Sequence, residues 1–186
     1  AILVLAGRVT FAEAKALAEK WFGPIPGGNK PVRQLPKEPV QTEDRRMEIV
    51  DKVPSNRFYK AYPVPGRYDE GFYAIDLMSD LMGRNETSFL YLALVQNKRV
   101  FDSISVSQTG SIDPGLLIVS GQVCDGVDLA LAEKELDQAI HEFVDHSFET
   151  VDLQRVKNQA EASLIFGEVE VLNRAMNLAM AANAGD

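Results

Sequence analysis

Apolar residues recur along this chain at two periods, and the switches between them set the expected elements. Phe11, Ala14, Leu17, Ala18, Trp21 and Phe22 fall on one face of a helix. Thr10-Phe11-Ala12-Glu13 opens that helix as a capping box, with hydroxyl and carboxylate exchanging hydrogen bonds with backbone amides, and Gly23-Pro24 stops it. Ahead of it, Ala1-Ile2-Leu3-Val4-Leu5 reads as a strand. Residues 27–43 have no periodicity and are punctuated by Gly27, Gly28, Pro31, Pro36 and Pro39, which predicts an extended connector. Two strands are expected at Arg46 to Val53 and Arg57 to Tyr62, the second ended by Pro63-Val64-Pro65-Gly66. Asp69 is the expected cap of a helix carrying Phe72, Ile75, Met78 and Met82, with the methionines as core filler.

A shorter helix is expected from Thr87 or Ser88 to about Gln96, with Phe89, Leu90, Leu92 and Leu94 as its apolar surface. Phe101 to Thr109 then alternates, Ile104 and Val106 on one parity and Ser103, Ser105 and Ser107 on the other, as a strand with one covered face does. Asp113-Pro114-Gly115 is turn chemistry. Leu116 to Cys124 is apolar on both parities and predicts a central strand forming a hairpin with the one before. Asp128 caps a helix with Leu129, Ala132, Leu136, Ile140 and Phe143 at steps of three and four. Another helix begins near Thr150 with Leu153, Val156, Ala160 and Leu164, and Leu172, Met176, Ala179 and Ala182 continue the pattern past Gly167. The order β-α-β-β-α-α-β-β-α-α-α is that of an α+β two-layer sandwich, a mostly antiparallel sheet with helices over one face.

With 186 residues, 46% of them hydrophobic, the chain is sized for a single domain spanning 1–186, of which 150–186 is the helical end. It opens without Met and closes inside patterned runs, which predicts excision from a longer chain and leaves its compartment open. A net charge of -8 without a Lys/Arg run disfavours nucleic acid, and no apolar stretch is long enough to span a membrane. The single Cys124 is expected as an inert thiol in the buried strand rather than a nucleophile. His141 and His146 stand five apart, which on a helix turns their rings roughly 140° from one another and away from a shared metal. Gly27-Gly28-Asn29-Lys30 lacks the spacing and ending of a phosphate loop. Asn85-Glu86-Thr87 fits a glycosylation sequon, a pattern common by chance.

One connected set of blocks carries a resemblance. It runs from Arg57-Phe58-Tyr59 through Ala61-Tyr62-Pro63-Val64-Pro65-Gly66, Ala74-Ile75-Asp76-Leu77 and Leu81-Met82-Gly83 to Leu90, Leu94-Val95, Lys98, Val100-Phe101 and Ser103-Ile104. Upstream, Leu3 to Thr10 and the helix ending near Trp21-Phe22-Gly23-Pro24-Ile25-Pro26 extend it. The chain resembles the C-terminal-type, noncatalytic domain of the pitrilysin (insulinase-like, M16) zinc metallopeptidases. That resemblance implies the LuxS/MPP-like metallohydrolase fold. It also implies a parent zinc endopeptidase whose metal is bound upstream of this chain by His-x-x-Glu-His and a distant Glu. Neither His-x-x-Glu-His nor His-Glu-x-x-His occurs here.

Many family members bring an Arg and a Tyr, six or seven residues apart, from such a domain to the zinc site, where fixed donors stabilise the oxyanion. In this chain Val95 stands at the Arg position and Phe101 or Asp102 at the Tyr position, so the pair is missing, and Arg99 nearby has no Tyr after it. Gln96, Asn97 and Arg99 are the polar neighbours that could replace a donor. No residue of this chain is therefore assigned a catalytic, cofactor-binding or metal-binding role, and the isolated chain is expected to be inert. The implied partners are the zinc-binding M16 domain of the same parent, a second M16 half in the same or another chain, and an unfolded peptide enclosed between the halves. Two other readings stand beside this one. The chain could be a structural subunit of an assembly, like the core proteins of the cytochrome bc1 complex, or a module that adds a peptide strand to an exposed sheet edge.

Overall fold

The computed structural model describes residues 2–29 and 36–184. The middle of the expected connector, residues 30–35, and the last two residues of the chain lie outside the described residues. Two compact units are present, one of residues 51–162 and one of 1–50 with 163–186.

The 51–162 unit holds a three-stranded antiparallel sheet in the order β1-β3-β2, from β1 (Arg57–Val64), β2 (Phe101–Gln108) and β3 (Gly115–Val123). The expected hairpin is the β2–β3 pair, with Val106 opposite Val119. β1 lies against the other side of β3, with Lys60 opposite Val119. β1 runs through Pro63 to Val64, two residues past the expected stop. Pro63 is tolerated because β1 is an edge strand, where an amide can be spared.

Burial along β3 alternates, with Leu117, Val119, Gly121 and Val123 buried and the intervening residues partly open. The sheet thus has one covered face and one open face, rather than the two covered faces that apolar residues on both parities suggested. Onto the covered face pack α2 (Phe72–Gly83), a π-helical turn (Tyr91–Asn97), α3 (Leu129–Asp145) and the first half of α4 (Thr150–Gly167). The core is formed by Met82, Leu90, Leu94, Phe101, Val119, Leu136 and Val156, each 3% exposed or less, with their neighbours.

Two glycines mark where backbones approach closely. A Cβ on Gly83 would stand 2.3 Å from Val106 Cγ2, so α2 meets β2 only because no side chain intervenes. A Cβ on Gly121 would stand 2.7 Å from Phe101 Cδ1, so that ring lies over the bare backbone of β3. Phe101 reaches the covered face through a bulge. It pairs with Val123 while Ser103 pairs with Gln122, which leaves Asp102 as an extra residue. Without that insertion Phe101 would share the parity of Ser103 and point to the open side.

Several expectations change. Residues 46–53 pair with no strand among the described residues, and Met47, Ile49 and Val50 are 82%, 74% and 92% exposed. Alternation defines a strand only when a neighbour is present to complete its ladder, and the outer edge of β1 carries none among the described residues. Residues 2–5 likewise form no strand. Asp69 does not cap α2. Its carboxylate accepts from the Gly66 amide at 2.9 Å, tightening the turn, and α2 instead starts after Gly71, whose φ of 90° suits glycine alone. Cys124 stands one residue past β3 and is only partly buried.

The 1–50 and 163–186 unit contains α1 (Phe11–Phe22) and α5 (Val171–Ala184). The capping box of α1 forms as expected, with the Thr10 amide and hydroxyl donating to Glu13 Oε2 at 2.9 and 2.7 Å and the Glu13 amide donating to Thr10 Oγ1 at 3.3 Å. None of its residues is buried, and Phe11 and Trp21 are 85% and 64% exposed.

Candidate functional site

The stretch from the π-helical turn into β2 holds the positions that match the family's Arg/Tyr pair. Leu90 and Leu94 are fully buried, which pins one side of the turn to the core. The helix then widens, with the Lys98 amide donating to Ala93 O at 3.0 Å, five residues back. Lys98 Nζ lies 2.5 Å from Glu135 Oε2 of α3 and anchors the end. Arg99 follows with φ 53°, the left-handed residue that lets a chain leave a helix. The Val100 amide then donates to Leu94 O at 3.0 Å, six residues back, closing the end in the manner of a Schellman motif, with Val100 buried against the core. Arg99 thus occupies a position usually given to glycine, and its role here is a helix stop. Sequence reasoning missed it because no Gly or Asn stands there.

Val95 is half-buried and packs on the core, and Phe101 is 1% exposed with its ring 6.4 Å from that of Phe58. Val95, at the Arg position, and Phe101, one of the two candidates for the Tyr position, therefore serve packing. Asp102 is exposed in the bulge, and Gln96 and Asn97 are exposed on the turn. Asp102 acts on Cys124. Desolvation first, and then a hydrogen bond to Asp102 and its charge, push the thiol above its ordinary pKa. That is opposite to what a nucleophilic cysteine needs.

His141 and His146 are not brought together at a metal. His141 Nδ1 lies 2.7 Å from Asp137 O in its own helix. His146 sits past the end of α3, 4.7 Å from the Phe148 ring and 5.3 Å from the Phe89 ring. Phe143 joins the same cluster, 5.6 Å from Phe89. Among the described residues no group of three or more His, Cys, Asp or Glu side chains could hold a metal ion, and no helix is long and apolar enough to cross a membrane. The sequon is a turn device: Asn85 Oδ1 accepts from the Thr87 amide at 2.9 Å and from its hydroxyl at 2.7 Å.

The open face of the sheet is a second surface. The register places Tyr59 and Ala61 of β1, Ile118 and Ser120 of β3, and Ser103, Ser105 and Ser107 of β2 on it. The Ser105 and Ser120 hydroxyls lie 2.8 Å apart across the strands. Arg57 of β1 also stands on this face and donates to Gln122 Oε1 at 3.0 Å. The result is a wall of hydroxyl, small and aromatic groups.

A profile of the family described as Peptidase M16 inactive domain matches residues 1–160. No curated protein matches the chain in sequence. Among solved structures, a protease from Helicobacter pylori superposes with a TM-score of 0.87 at 20% identity, over 97% of this chain and 44% of its own. The inactive peptidase domain of a Bordetella parapertussis protein named as a zinc protease superposes at 0.62 with 19% identity, over 74% of this chain and 76% of its own. A chain of Complex III2 from Candida albicans superposes at 0.56 with 14% identity, over 70% of this chain and 33% of its own. At these identities the likeness is one of fold. The chain spans less than half the length of the Helicobacter pylori protease.

Proposed function

The chain belongs to the M16 peptidase family as an inactive domain, and from that premise we propose that residues 1–186 act as one noncatalytic domain of a zinc endopeptidase, lining the chamber in which an unfolded peptide is held. The observation that carries this reading is the sheet with one face packed and one face open. The covered face takes all the helices of the 51–162 unit that pack on the sheet, while the open one presents Ser103, Ser105, Ser107, Ser120 and Tyr59 together with Arg57. Such a wall contacts peptide backbone and side chains without selecting a charge. The zinc and its ligands belong to another domain of the parent, and a second M16 half completes the enclosure.

A second reading draws on specific observations. β1 and β2 each have an outer edge with no strand partner among the described residues. That supports peptide capture by strand addition, through main-chain hydrogen bonds. The likeness to a chain of Complex III2 supports a third role, in assembly rather than proteolysis.

Two measurements test the peptidase reading, the first of them against the assembly reading. The parent reading frame, inspected over about 200 residues on the side preceding Ala1, the size of a matching domain, contains His-x-x-Glu-His if the peptidase reading holds and lacks it if the assembly reading does. In the complete enzyme, alanine at Val95, Gln96, Asn97 or Arg99 leaves kcat per folded molecule nearly unchanged. A loss of about 100-fold at any of the three polar positions, as follows removal of an oxyanion donor, defeats the noncatalytic role.

A further inference from the structure

We propose that a groove beside the π-helical turn binds the carboxyl terminus of a peptide whose last residue is apolar. The groove has a volume of about 380 Å³ and lies within the 51–162 unit. Phe89, His146 and Phe148 form its aromatic wall, with Phe148 centred 6.3 Å from Phe89 and 4.7 Å from His146. Arg155 of α4 stands at its rim.

The guanidinium is held in place without being neutralised by a hydrogen-bonded acid. Arg155 Nη1 donates to Thr87 Oγ1 at 2.6 Å, and the Thr87 hydroxyl spends its own proton on Asn85 Oδ1 at 2.7 Å, so the relay fixes the arginine through a neutral acceptor. Asp152 is the nearest acid in the groove, but its Oδ1 lies 3.9 Å from Nη2, beyond hydrogen-bonding distance. A guanidinium has five N–H donors in a planar fork matched to a carboxylate, so donors remain for a ligand. An aromatic wall beside an arginine fork suits a group whose apolar side chain and carboxylate leave the same carbon. A peptide's last residue has that arrangement, whereas a Glu side chain separates its carboxylate from the next apolar group. The volume suits one such residue rather than a helix. This inference does not depend on the peptidase reading.

N-acetyl-phenylalanine is the probe, titrated into the purified chain and followed by amide chemical shifts. Saturable shifts at Phe89, Phe148 and Arg155 are expected, with N-acetyl-phenylalaninamide and acetate each binding at least about tenfold more weakly, the loss that one charge-assisted hydrogen bond entails. Arg155→Gln weakens the acid about tenfold while leaving the amide unchanged. Asp152→Asn tightens the acid, because it removes the competing carboxylate. Equal affinity for acid and amide in the unmodified chain, or no saturable shift in the millimolar range, overturns the proposal even if a variant fails to fold.

Discussion

Lys60 Nζ lies 2.5 Å from Asp137 Oδ1 and 3.9 Å from Glu133 Oε1, joining the edge strand β1 to α3 across the covered face. A lysine pointing inward on an edge strand has a second effect, because a chain that adds blindly to β1 must accommodate the charge. Lys60→Ala is expected to cost about 1 kcal/mol, between an exposed pair and a buried one. It should also raise the tendency to aggregate. Denaturant titration and light scattering check the two effects, and a variant unchanged in both removes the role assigned to this pair.

Leu136 is fully buried in the middle of the α3 stripe with Ala132, Ala139 and Phe143. Leu136→Ala should cost about 2 to 5 kcal/mol by cavity formation. Lys134→Ala, on the exposed side, should cost less than about 0.5 kcal/mol. Equal costs would mean that the face of α3 is assigned wrongly.

Gly83→Ala places a methyl group where Val106 already stands and is expected to cost about 1 to 3 kcal/mol. Val106→Ala removes Cγ2, the nearest atom, though not the Val106 Cβ or amide nitrogen, each 2.9 Å from the new Cβ. The double variant should therefore recover part of the loss, and a double-mutant cycle with no coupling would deny the contact.

Arg99→Gly relieves a left-handed residue and is expected to stabilise the chain by about 1 kcal/mol. Destabilisation instead would show that the Arg99 side chain contributes more than its backbone strain costs.

Cys124 should label slowly at neutral pH although it is partly exposed, since desolvation and Asp102 both raise its pKa and keep the thiolate scarce. Asp102→Asn removes a charge that favours the protonated form, so labelling should become faster. The rate as a function of pH checks the sign, because the variant's profile must shift towards lower pH.

Where period and partner agreed, the fold could be read from the sequence. The α1 capping box, the β2–β3 hairpin and the α3 stripe all depend on contacts near in sequence or on long runs of one period. Residues 2–5 and 46–53 have the composition of strands, yet a strand is completed by a neighbour that composition does not name. The spacing of Leu90 and Leu94 predicts a helix but not its widening, which accompanies the tie of Lys98 to α3, a contact between distant segments that leaves no periodic signal. The packing role of Val95 and Phe101 was legible in their apolar side chains. The groove at Arg155 was not, because Asn85, Thr87, Phe148 and Arg155 converge from separate segments.

The extra residue at Asp102 has a consequence for how this domain can diversify. A strand without it would couple the phase of the preceding turn rigidly to the alternation of Ile104, Val106 and the serines, so any change of length upstream would exchange inner for outer side chains along all of β2. With the bulge between Phe101 and Ser103, one residue can be gained or lost at that point while the pairing from Ser103 to Gln108 stays in register. The joint acts as a slip coupling: the segment carrying Val95 to Phe101 can be re-aimed without rebuilding the wall it leads into.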